Sequence, residues 1–426
     1  MAITRTFQDM LNDYLPTEVL VEELVKRDYL LSNIERDDSW VGAGGAGGAS
    51  AGVNSEYIVP FKGAQASSIE YGALTADTDI ADDKFVRGRI GAQIDVWGTM
   101  QFHHRDLMEH GKVSEKRFLK ILPDSIEDFV DYLKGVISVN LLNGSWFAKA
   151  TADGAVGGTI VVDRPDRFTI GQKVTIDDDN STAITDSYVT AINMNTKTIT
   201  IQDDRTGGAA VDLSSMTLAQ NTKFYTPGAN SAAFVSLRGA LLSLANGGDT
   251  NLYGVAKTAY PYLQAINVDG ASVTATNILQ KVFDALTEVR KYGKGAPRDV
   301  IMSYKNYGSC IKSVESSKGA FNVRADSTKA SPYGWDEIMI GSVAKGSLKL
   351  VGVQEMDDDI IIFLDWRAVK FASNGFIQKV KSPDGLEYYV KRATTGYTYV
   401  IDMCCFGELV VHRPSYCGIM YGISYS

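Results

Sequence analysis

A stretch of short β-type runs at residues 151–228 limits the possible folds of this chain more than any other feature. Apolar and β-branched residues dominate each run, and no helical pattern lies between the runs. The series from Asn193 to Lys197 is suited to a hairpin turn between the last two of them. The segment therefore predicts a small β-barrel or sandwich. The runs span residues 159–162, 173–176, 188–192 and 198–201.

The first 55 residues have the pattern of a helical arm followed by a flexible linker. Apolar residues recur at three- and four-residue steps through residues 6–34, which predicts an amphipathic helix. Residues 42–50 are all Gly, Ala or Ser, a composition typical of a flexible connector. A phosphate-binding loop is the alternative for these glycines, but no Gly-Lys-Ser or Gly-Lys-Thr follows them.

Two strand patterns flank a long polar stretch within residues 53–102. Residues 57–61 predict an outgoing strand, and residues 85–97 predict a returning strand whose second half alternates between apolar and polar residues. The polar stretch between them is too long and too polar to pack on its own. A loop of this size without a core is usually functional or is ordered by a neighbouring molecule.

The rest of the chain predicts a long helix and then a mixed α/β region. Asp124 follows Pro123 and precedes Glu127 by three residues, which resembles a capping box and predicts that the long helix begins there. This helix is expected to end near Asn143 and Gly144. The later patterns predict helices at 234–244, 278–292 and 307–314 and strands at 299–303, 348–353, 360–364, 388–390, 397–403 and 409–412.

Charge and cysteine content exclude several classes of protein. The formal net charge is −9, and an acidic chain is a poor sequence-independent binder of nucleic acid, because phosphate contacts need clustered Lys and Arg. None of the four cysteines forms a C-x-x-C pair, so neither a zinc ribbon nor a thioredoxin-like site is expected, and the thiols are predicted to stay reduced. Neither a secretory signal nor an apolar run of membrane-spanning length is present in the sequence.

Two groups of residues are candidates for binding a metal ion. His103, Asp106 and His110 would share one face if their segment were helical, although a solvated turn is the commoner explanation. The triplets 177–179 and 357–359 are all Asp and are candidates for calcium, although acidic turns between strands are more usual. No catalytic or dinucleotide-binding motif is found, so we expect a protein that is not an enzyme and that holds no cofactor or metal.

The order of these parts resembles a known family, and the stretches from Pro297 to Lys305 and from Gly407 to Gly418 also carry the likeness. The chain resembles the major capsid proteins of tailed bacteriophages, which have the α+β Hong Kong 97 fold, with an all-β domain inserted. The resemblance implies an N-terminal arm and Gly-rich linker at 1–55, an extended loop at 56–97, a peripheral domain with a spine helix at 98–150 and 391–426, an inserted β-barrel-like domain at 151–228 and an axial domain at 229–390.

If the resemblance holds, the chain assembles into hexamers and pentamers that form the icosahedral head of a virion in the host cytoplasm. The head encloses double-stranded DNA without sequence-specific binding, and no membrane is involved. The short arm predicts a separate scaffolding protein and no N-terminal processing; a portal is a further expected partner, and a decoration protein is left open. The extended loop lies across a neighbouring subunit in this family. Its charged residues are predicted to form intersubunit ion pairs: Lys62, Asp82, Asp83, Arg87 and Arg89.

Three other functions remain open at this point. An encapsulin, a cellular compartment that holds cargo enzymes, has the same fold, but its subunits are usually shorter and lack such an insertion. A tail or adhesion protein would use residues 151–228 to bind glycans and would form trimers or rings. An enzyme would depend on carboxylate pairs or on the cluster around His103.

Overall fold

The computed structural model of the protein describes residues 28–37, 57–62, 85–90, 94–103, 115–151, 158–177, 183–205, 207–211, 222–229, 233–316, 323–324, 330–331, 334–335, 337–340, 348–373, 377–379, 390–392 and 398–425. Within these residues, the helices are α1 (Tyr29–Asn33), α2 (Glu115–Leu142), α3 (Leu237–Leu241), α4 (Ile278–Tyr292) and α5 (Tyr304–Ser316).

The strands of the first half of the described chain are β1 (Glu35–Asp37), β2 (Tyr57–Lys62), β3 (Phe85–Ile90), β4 (Ile94–His103), β5 (Trp146–Lys149), β6 (Thr159–Val161), β7 (Lys173–Asp177), β8 (Ile184–Asn193), β9 (Thr198–Gln202), β10 (Lys223–Tyr225), β11 (Asn251–Leu252) and β12 (Val255–Ala256). Those of the second half are β13 (Ile266–Asp269), β14 (Asp299–Ser303), β15 (Val323–Arg324), β16 (Ala330–Ser331), β17 (Gly334–Trp335), β18 (Glu337–Ile340), β19 (Leu348–Val353), β20 (Ile360–Leu364), β21 (Val369–Ala372), β22 (Ile377–Lys379), β23 (Val390–Arg392), β24 (Thr398–Val411) and β25 (Gly418–Tyr421).

A seven-stranded mixed sheet lies at the centre of the body, in the order β13-β25-β20-β14-β19-β18-β15. All five residues of β20 are buried, as expected for a strand that is covered on both faces. Ile361 and Phe363 pack with α4 and α5 on one face, whereas Ile360 and Ile362 pack into the main core on the other. The predictions of strands at 299–303, 348–353 and 360–364 are confirmed.

Strand β25 lies in a different part of the fold from the one predicted. Residues 391–426 are predicted as part of the peripheral domain, but β25 lies inside the seven-stranded sheet, parallel to β13 and antiparallel to β20. The reason is its apolar character: Gly418, Ile419 and Met420 are buried, which suits an interior strand.

Strands β4 and β24 form a long two-stranded ribbon, and β24 also pairs with three further strands. The ten residues of β4 pair antiparallel with residues 398–407 of β24. The opposite edge of β24 pairs in succession with β23, β22 and β21. One strand of 14 residues therefore supports both the ribbon and the sheet that contains β1.

The spine helix α2 is longer than predicted. It begins at Glu115, not at Asp124, and it continues through Pro123. Proline lacks the N–H that would donate to the residue one turn earlier, so it is favoured in the first turn of a helix. The predicted start at Asp124 is wrong, because Pro123 and the capping-box pattern of Asp124 and Glu127 lie within the helix. Helix α3 is also shorter than the predicted 234–244.

The segment of β-type runs folds into a closed sheet. Six strands follow the order β5-β10-β7-β8-β9-β6, and a bridge between Ala150 and Val162 joins the first strand to the last. Backbone hydrogen bonds from Thr151 to Val161 and from Asp163 to Lys149 support this closure. The buried interior includes Phe147, Ile160, Phe168, Val174, Val189, Ile201 and Phe224. The structure is therefore a small barrel, and it begins at Trp146, before the predicted boundary at 151.

None of the described helices combines the length and the apolar character that a membrane crossing requires.

Candidate assembly site

The hairpin formed by β2 and β3 has two different faces. Its strands pair antiparallel in continuous register from Tyr57 opposite Ile90 to Lys62 opposite Phe85. Val59, Phe61 and Ile90 point inward and are buried in the main core. Successive residues of a strand point to opposite faces, so the residues between them form an outer face.

The outer face of the hairpin brings an apolar side chain together with two arginines. Ile58 is opposite Arg89 and Pro60 is opposite Arg87. Arg87 and Arg89 are exposed, and half of the Ile58 surface is accessible. An exposed isoleucine flanked by arginines is a composition typical of the surfaces that proteins use to bind one another.

The structure describes only some of the five predicted site residues. Arg87 and Arg89 lie two residues apart in β3 and are on its outer face. Lys62 ends β2 at the far end of the same hairpin. Asp82 and Asp83 lie outside the described residues. The intersubunit ion pairs themselves therefore stay a prediction.

The inner face of the hairpin is fixed to the body by Tyr253. The rings of Phe61 and Tyr253 are stacked with centroids 6.1 Å apart. The backbone N–H of Arg89 donates to the carbonyl oxygen of Tyr253 at 2.9 Å. The Tyr253 hydroxyl donates to the carbonyl of Leu409 at 2.5 Å and accepts from the N–H of Val411 at 2.9 Å. Burial raises the pKa of Tyr253 well above its usual value, so the phenol remains a donor.

The described end of the N-terminal arm is fastened to the spine helix through Asp28. Its carboxylate accepts from the N–H of Leu31 at 2.8 Å and so caps α1. The hydroxyl of Ser138 on α2 donates to the other carboxylate oxygen. Burial raises the pKa of Asp28 to about 6.

A turn between β19 and β20, residues 354–359, connects the barrel to the body, and we call it the junction turn. Arg164 and Arg167 belong to the barrel. Arg164 donates to the carbonyl oxygen of Met356 at 3.0 Å, and Arg167 donates to that of Glu355 at 2.6 Å. These bonds satisfy carbonyl groups of the turn that belong to no strand pair.

The carboxylates of the junction turn form a network with arginines. One oxygen of Asp357 lies 3.0 Å from Arg167, and the other lies 3.4 Å from Arg238. Arg238 also pairs with Asp359 at 2.6 Å. Burial opposes the ionisation of Asp359, but Arg238 holds the pKa of this carboxyl below its usual range. Because these carboxylates bind guanidinium groups, they are not available as calcium ligands.

The spine helix also ends at the junction turn. Just beyond α2, the side chain of Asn143 donates to the carbonyl of Glu355 at 2.5 Å and accepts from the N–H of Asp357 at 3.1 Å. Spine, barrel and central sheet therefore meet at one buried polar site. Sequence reasoning missed it, because its residues are up to about 210 positions apart in the chain.

A second buried carboxyl, that of Glu408, lies in β24. It accepts from the N–H groups of Val235 at 2.6 Å and Leu409 at 3.1 Å. Burial raises its pKa to about 8, against its ordinary value of 4.5. The sequence signal for this site is a single acidic residue within the apolar run that ends at Val411.

The backbone of His103 does not have the helical conformation that the predicted metal site requires. His103 is the last residue of β4 and pairs with Thr398, so its backbone is extended. Asp106 and His110 lie outside the described residues. Within the described part of the chain, no group of three or more His, Cys, Asp or Glu side chains is placed to hold a metal ion.

Comparison with known proteins yields matches among solved structures alone. No protein-family model matches the chain. No curated protein sequence matches it either. The asymmetric unit of the cyanophage A-1(L) capsid has 10% identity and a TM-score of 0.46, covering 86% of this chain and 88% of that chain. The capsid of Myoviridae phage XM1 has 11% identity and a TM-score of 0.34, covering 92% and 91%. The SrpI encapsulin complex of Synechococcus elongatus PCC 7942 has 7% identity and a TM-score of 0.38, covering 87% and 84%.

The family that the sequence resembles is represented among these matches. The matches extend over most of the chain, and phage capsids are among them. Their TM-scores are below 0.5 and their identities are 11% or less, so these matches carry no argument about the function of this chain. The function therefore has to be argued from the chain's own surfaces.

Proposed function

We propose that this chain is the major capsid protein of a tailed bacteriophage. Copies assemble into hexamers and pentamers that tile an icosahedral shell around double-stranded DNA. On this proposal the protein is structural and not an enzyme, and it assembles in the cytoplasm of the bacterial host. Its further partners are a separate scaffolding protein and a portal, with an outer decoration protein as an optional one.

The hairpin of β2 and β3 is the observation that carries this proposal. Its inner face is part of the core of its own chain, where Phe61 stacks on Tyr253. Its outer face presents Ile58, Arg87 and Arg89 to solvent. A rigidly based hairpin with an exposed mixed face is suited to contact a neighbouring copy. Each contact has a modest area, but every copy of a shell makes many, so the assembly gains by multivalency.

The attachment of the barrel fits the same role. The junction turn bonds to Arg164, Arg167 and Asn143, so barrel, spine and sheet form one connected unit. A shell subunit has to keep its shape while neighbours load it from several sides. A buried network of charge-assisted hydrogen bonds provides that rigidity.

The test is to express the chain alone and together with its candidate scaffolding protein, and to examine the products by negative-stain electron microscopy and light scattering. Closed shells, or rings of five and six copies that convert to shells, are the expected result. DNA-filled particles from infected cells separate a virion from an encapsulin. A chain that stays a monomer or trimer under every condition would reject the proposal and favour a tail or adhesion protein.

A further inference from the structure

One region of this acidic protein carries a concentration of exposed cations. The chain has a formal net charge of −9. Three loops at one end of the central sheet nevertheless bring four basic side chains to the surface. The loops are residues 293–298 after α4, 365–367 after β20 and 413–416 after β24. We call this region the cationic strip; its members are Lys294, Arg298, Arg367 and Arg413, with Tyr262 and Tyr416 between them.

Direct contacts hold the three loops together. The backbone N–H of Lys294 donates to the carbonyl of Ser415 at 3.2 Å. The N–H of Ala296 donates to the carboxylate of Asp365, also at 3.2 Å. The strip is thus a built surface with fixed spacing, assembled from three loops of which the first and the last are more than 100 residues apart in the chain.

The tyrosines orient the cations of the strip. The ammonium group of Lys294 lies 4.1 Å from the ring centroid of Tyr262 and donates to its hydroxyl at 2.7 Å. The guanidinium carbons of Arg413 and Arg367 lie 5.2 and 6.0 Å from the ring centroid of Tyr416. Such cation–π contacts limit side-chain motion and leave the charges in solvent.

Carboxylates of the described residues neutralise only part of this charge. Asp365 is buried and forms a two-point ion pair with Arg367. Arg298 and Arg367 line the same surface cavity of about 370 Å³. Within the described part of the chain, neither Arg298 nor Arg413 has a carboxylate at ion-pair distance. A net positive potential therefore remains on this surface.

The dipole of α4 does not account for the strip. Arg290 and Lys291 lie in the last turn of α4, where basic residues stabilise the helix end. Arg298, Arg367 and Arg413 lie beyond that turn, two of them in other loops. The dipole effect falls off within the last turn, so these three arginines need another explanation.

The hydrogen-bonding character of the strip matches phosphate. Guanidinium and ammonium groups are donors and never acceptors. The Tyr416 oxygen accepts from Arg413 at 3.4 Å, which leaves its hydroxyl proton to donate outward. Phosphate oxygens are acceptors, and the phosphates of a nucleic-acid backbone are contacted chiefly by Arg, Lys and hydroxyl side chains.

We propose that the cationic strip binds the phosphate backbone of double-stranded DNA. The occupant rests on the proposed function, in which each copy faces packaged DNA. Binding is independent of sequence, since the strip presents charge and hydroxyl donors without an element shaped to enter a groove. On a chain whose formal net charge is −9, the strip is a surface that attracts the phosphates of DNA.

The test measures binding of the full, unassembled chain to a fluorescein-labelled 30-base-pair duplex of mixed sequence, by anisotropy over a series of salt concentrations. The variant is Arg298→Gln with Arg413→Gln. The matched control is Lys197→Gln with Arg205→Gln, which removes the same charge from exposed positions on the barrel. Thermal melting checks that both variants are folded.

The strip variant is expected to bind the duplex about tenfold more weakly at low salt. The slope of log K against log salt should also be shallower by about 2, because each phosphate contact contributes about 0.9 to that slope. The control is expected to bind like the native chain. Equal weakening in both variants, or no duplex binding by the native chain at any salt, would overturn the proposal. So would a strip variant that binds DNA normally but fails to form shells, because the strip would then contact a second copy.

Failure of the proposed function gives a different result. A chain that never forms shells, but binds the duplex through the strip, would remove the capsid role and leave the DNA-binding surface in place.

Discussion

The guanidinium of Arg167 and the carboxylate of Asp357 lie 3.0 Å apart in the interior, although 190 positions separate them in the chain. This pair ties the barrel to the junction turn. Removing one partner of a buried ion pair leaves an uncompensated charge. We therefore expect Asp357→Asn to lower the free energy of unfolding by about 3 kcal/mol, as measured by urea denaturation. Asp358→Asn, in the same turn but exposed, should change it by less than about 0.5 kcal/mol. Equal effects of the two changes would show that the network does not fasten the barrel.

The buried carboxyl of Glu408 predicts a pH dependence of stability. Its pKa is about 8 in the folded protein against an ordinary value of 4.5. Between these values the folded state keeps a proton that the unfolded chain releases, so stability falls as pH rises and levels off above about pH 8. Glu408→Gln keeps a side-chain oxygen for the N–H groups of Val235 and Leu409 without ionising. Its advantage should grow from pH 5 through pH 7 to pH 9, as followed by urea midpoints. Glu288→Gln, on the exposed face of α4, is the control; an identical pH profile for both variants would contradict the argument.

Two glycines should respond in opposite ways to alanine. Gly135 lies within α2, and an added methyl group would have no neighbour within 4 Å. Gly135→Ala should therefore stabilise the protein by about 0.5–1 kcal/mol, because alanine favours the helix. A methyl group at Gly88 would lie 2.6 Å from the ring of Phe61 and 3.1 Å from Cβ of Tyr253. Gly88→Ala should cost about 1–3 kcal/mol, because it separates the hairpin from its base. Thermal melting measures both effects, and a neutral Gly88→Ala would mean that the base of the hairpin is loosely packed.

The outer face of the hairpin predicts a separation between assembly and stability. Arg87 is exposed and opposite Pro60. Arg87→Glu reverses the charge at a surface that is proposed to meet a neighbouring copy. Shell formation, followed by light scattering and sedimentation, should be lost. The free energy of unfolding of the subunit, measured by thermal melting, should change by less than about 0.5 kcal/mol. Lys197→Glu, on the barrel, gives the same charge change and should assemble normally. Native-like shells from Arg87→Glu would remove this face from the assembly contacts.

Sequence reasoning succeeded where the signal is local. The strands of the central sheet are runs of apolar residues between turns, and their predicted bounds at 299–303 and 348–353 match the structure. Helix α4 ends as predicted, since the N–H of Gly293 donates to the carbonyl of Val289 at 2.8 Å. The predicted start of α2 was wrong, because the pattern of Asp124 and Glu127 that resembles a capping box lies inside a helix that begins at Glu115.

The rest could not be predicted because distant segments create it. The pairing of β24 with β4 joins residues about 300 positions apart, and no local pattern selects that partner. The four cations of the cationic strip come from three loops, so the sequence shows an acidic chain and hides its basic surface. The junction turn is also formed by distant segments. Its acidic triplet suggests a calcium loop in the sequence, but in the structure two of its carboxylates pair with arginines from other segments.

The neighbouring positions of β5 and β10 have a consequence for how this protein changes over evolutionary time. Trp146 pairs with Tyr225, so the chain leaves for the barrel and comes back at adjacent points. An inserted domain whose two ends are adjacent can be lengthened, shortened or replaced without a change in the path of the flanking chain. Any replacement would have to supply donors equivalent to Arg164 and Arg167, or the carbonyls they satisfy would be orphaned. Related lineages should therefore differ most in what they carry at this position and least in the turn that receives it.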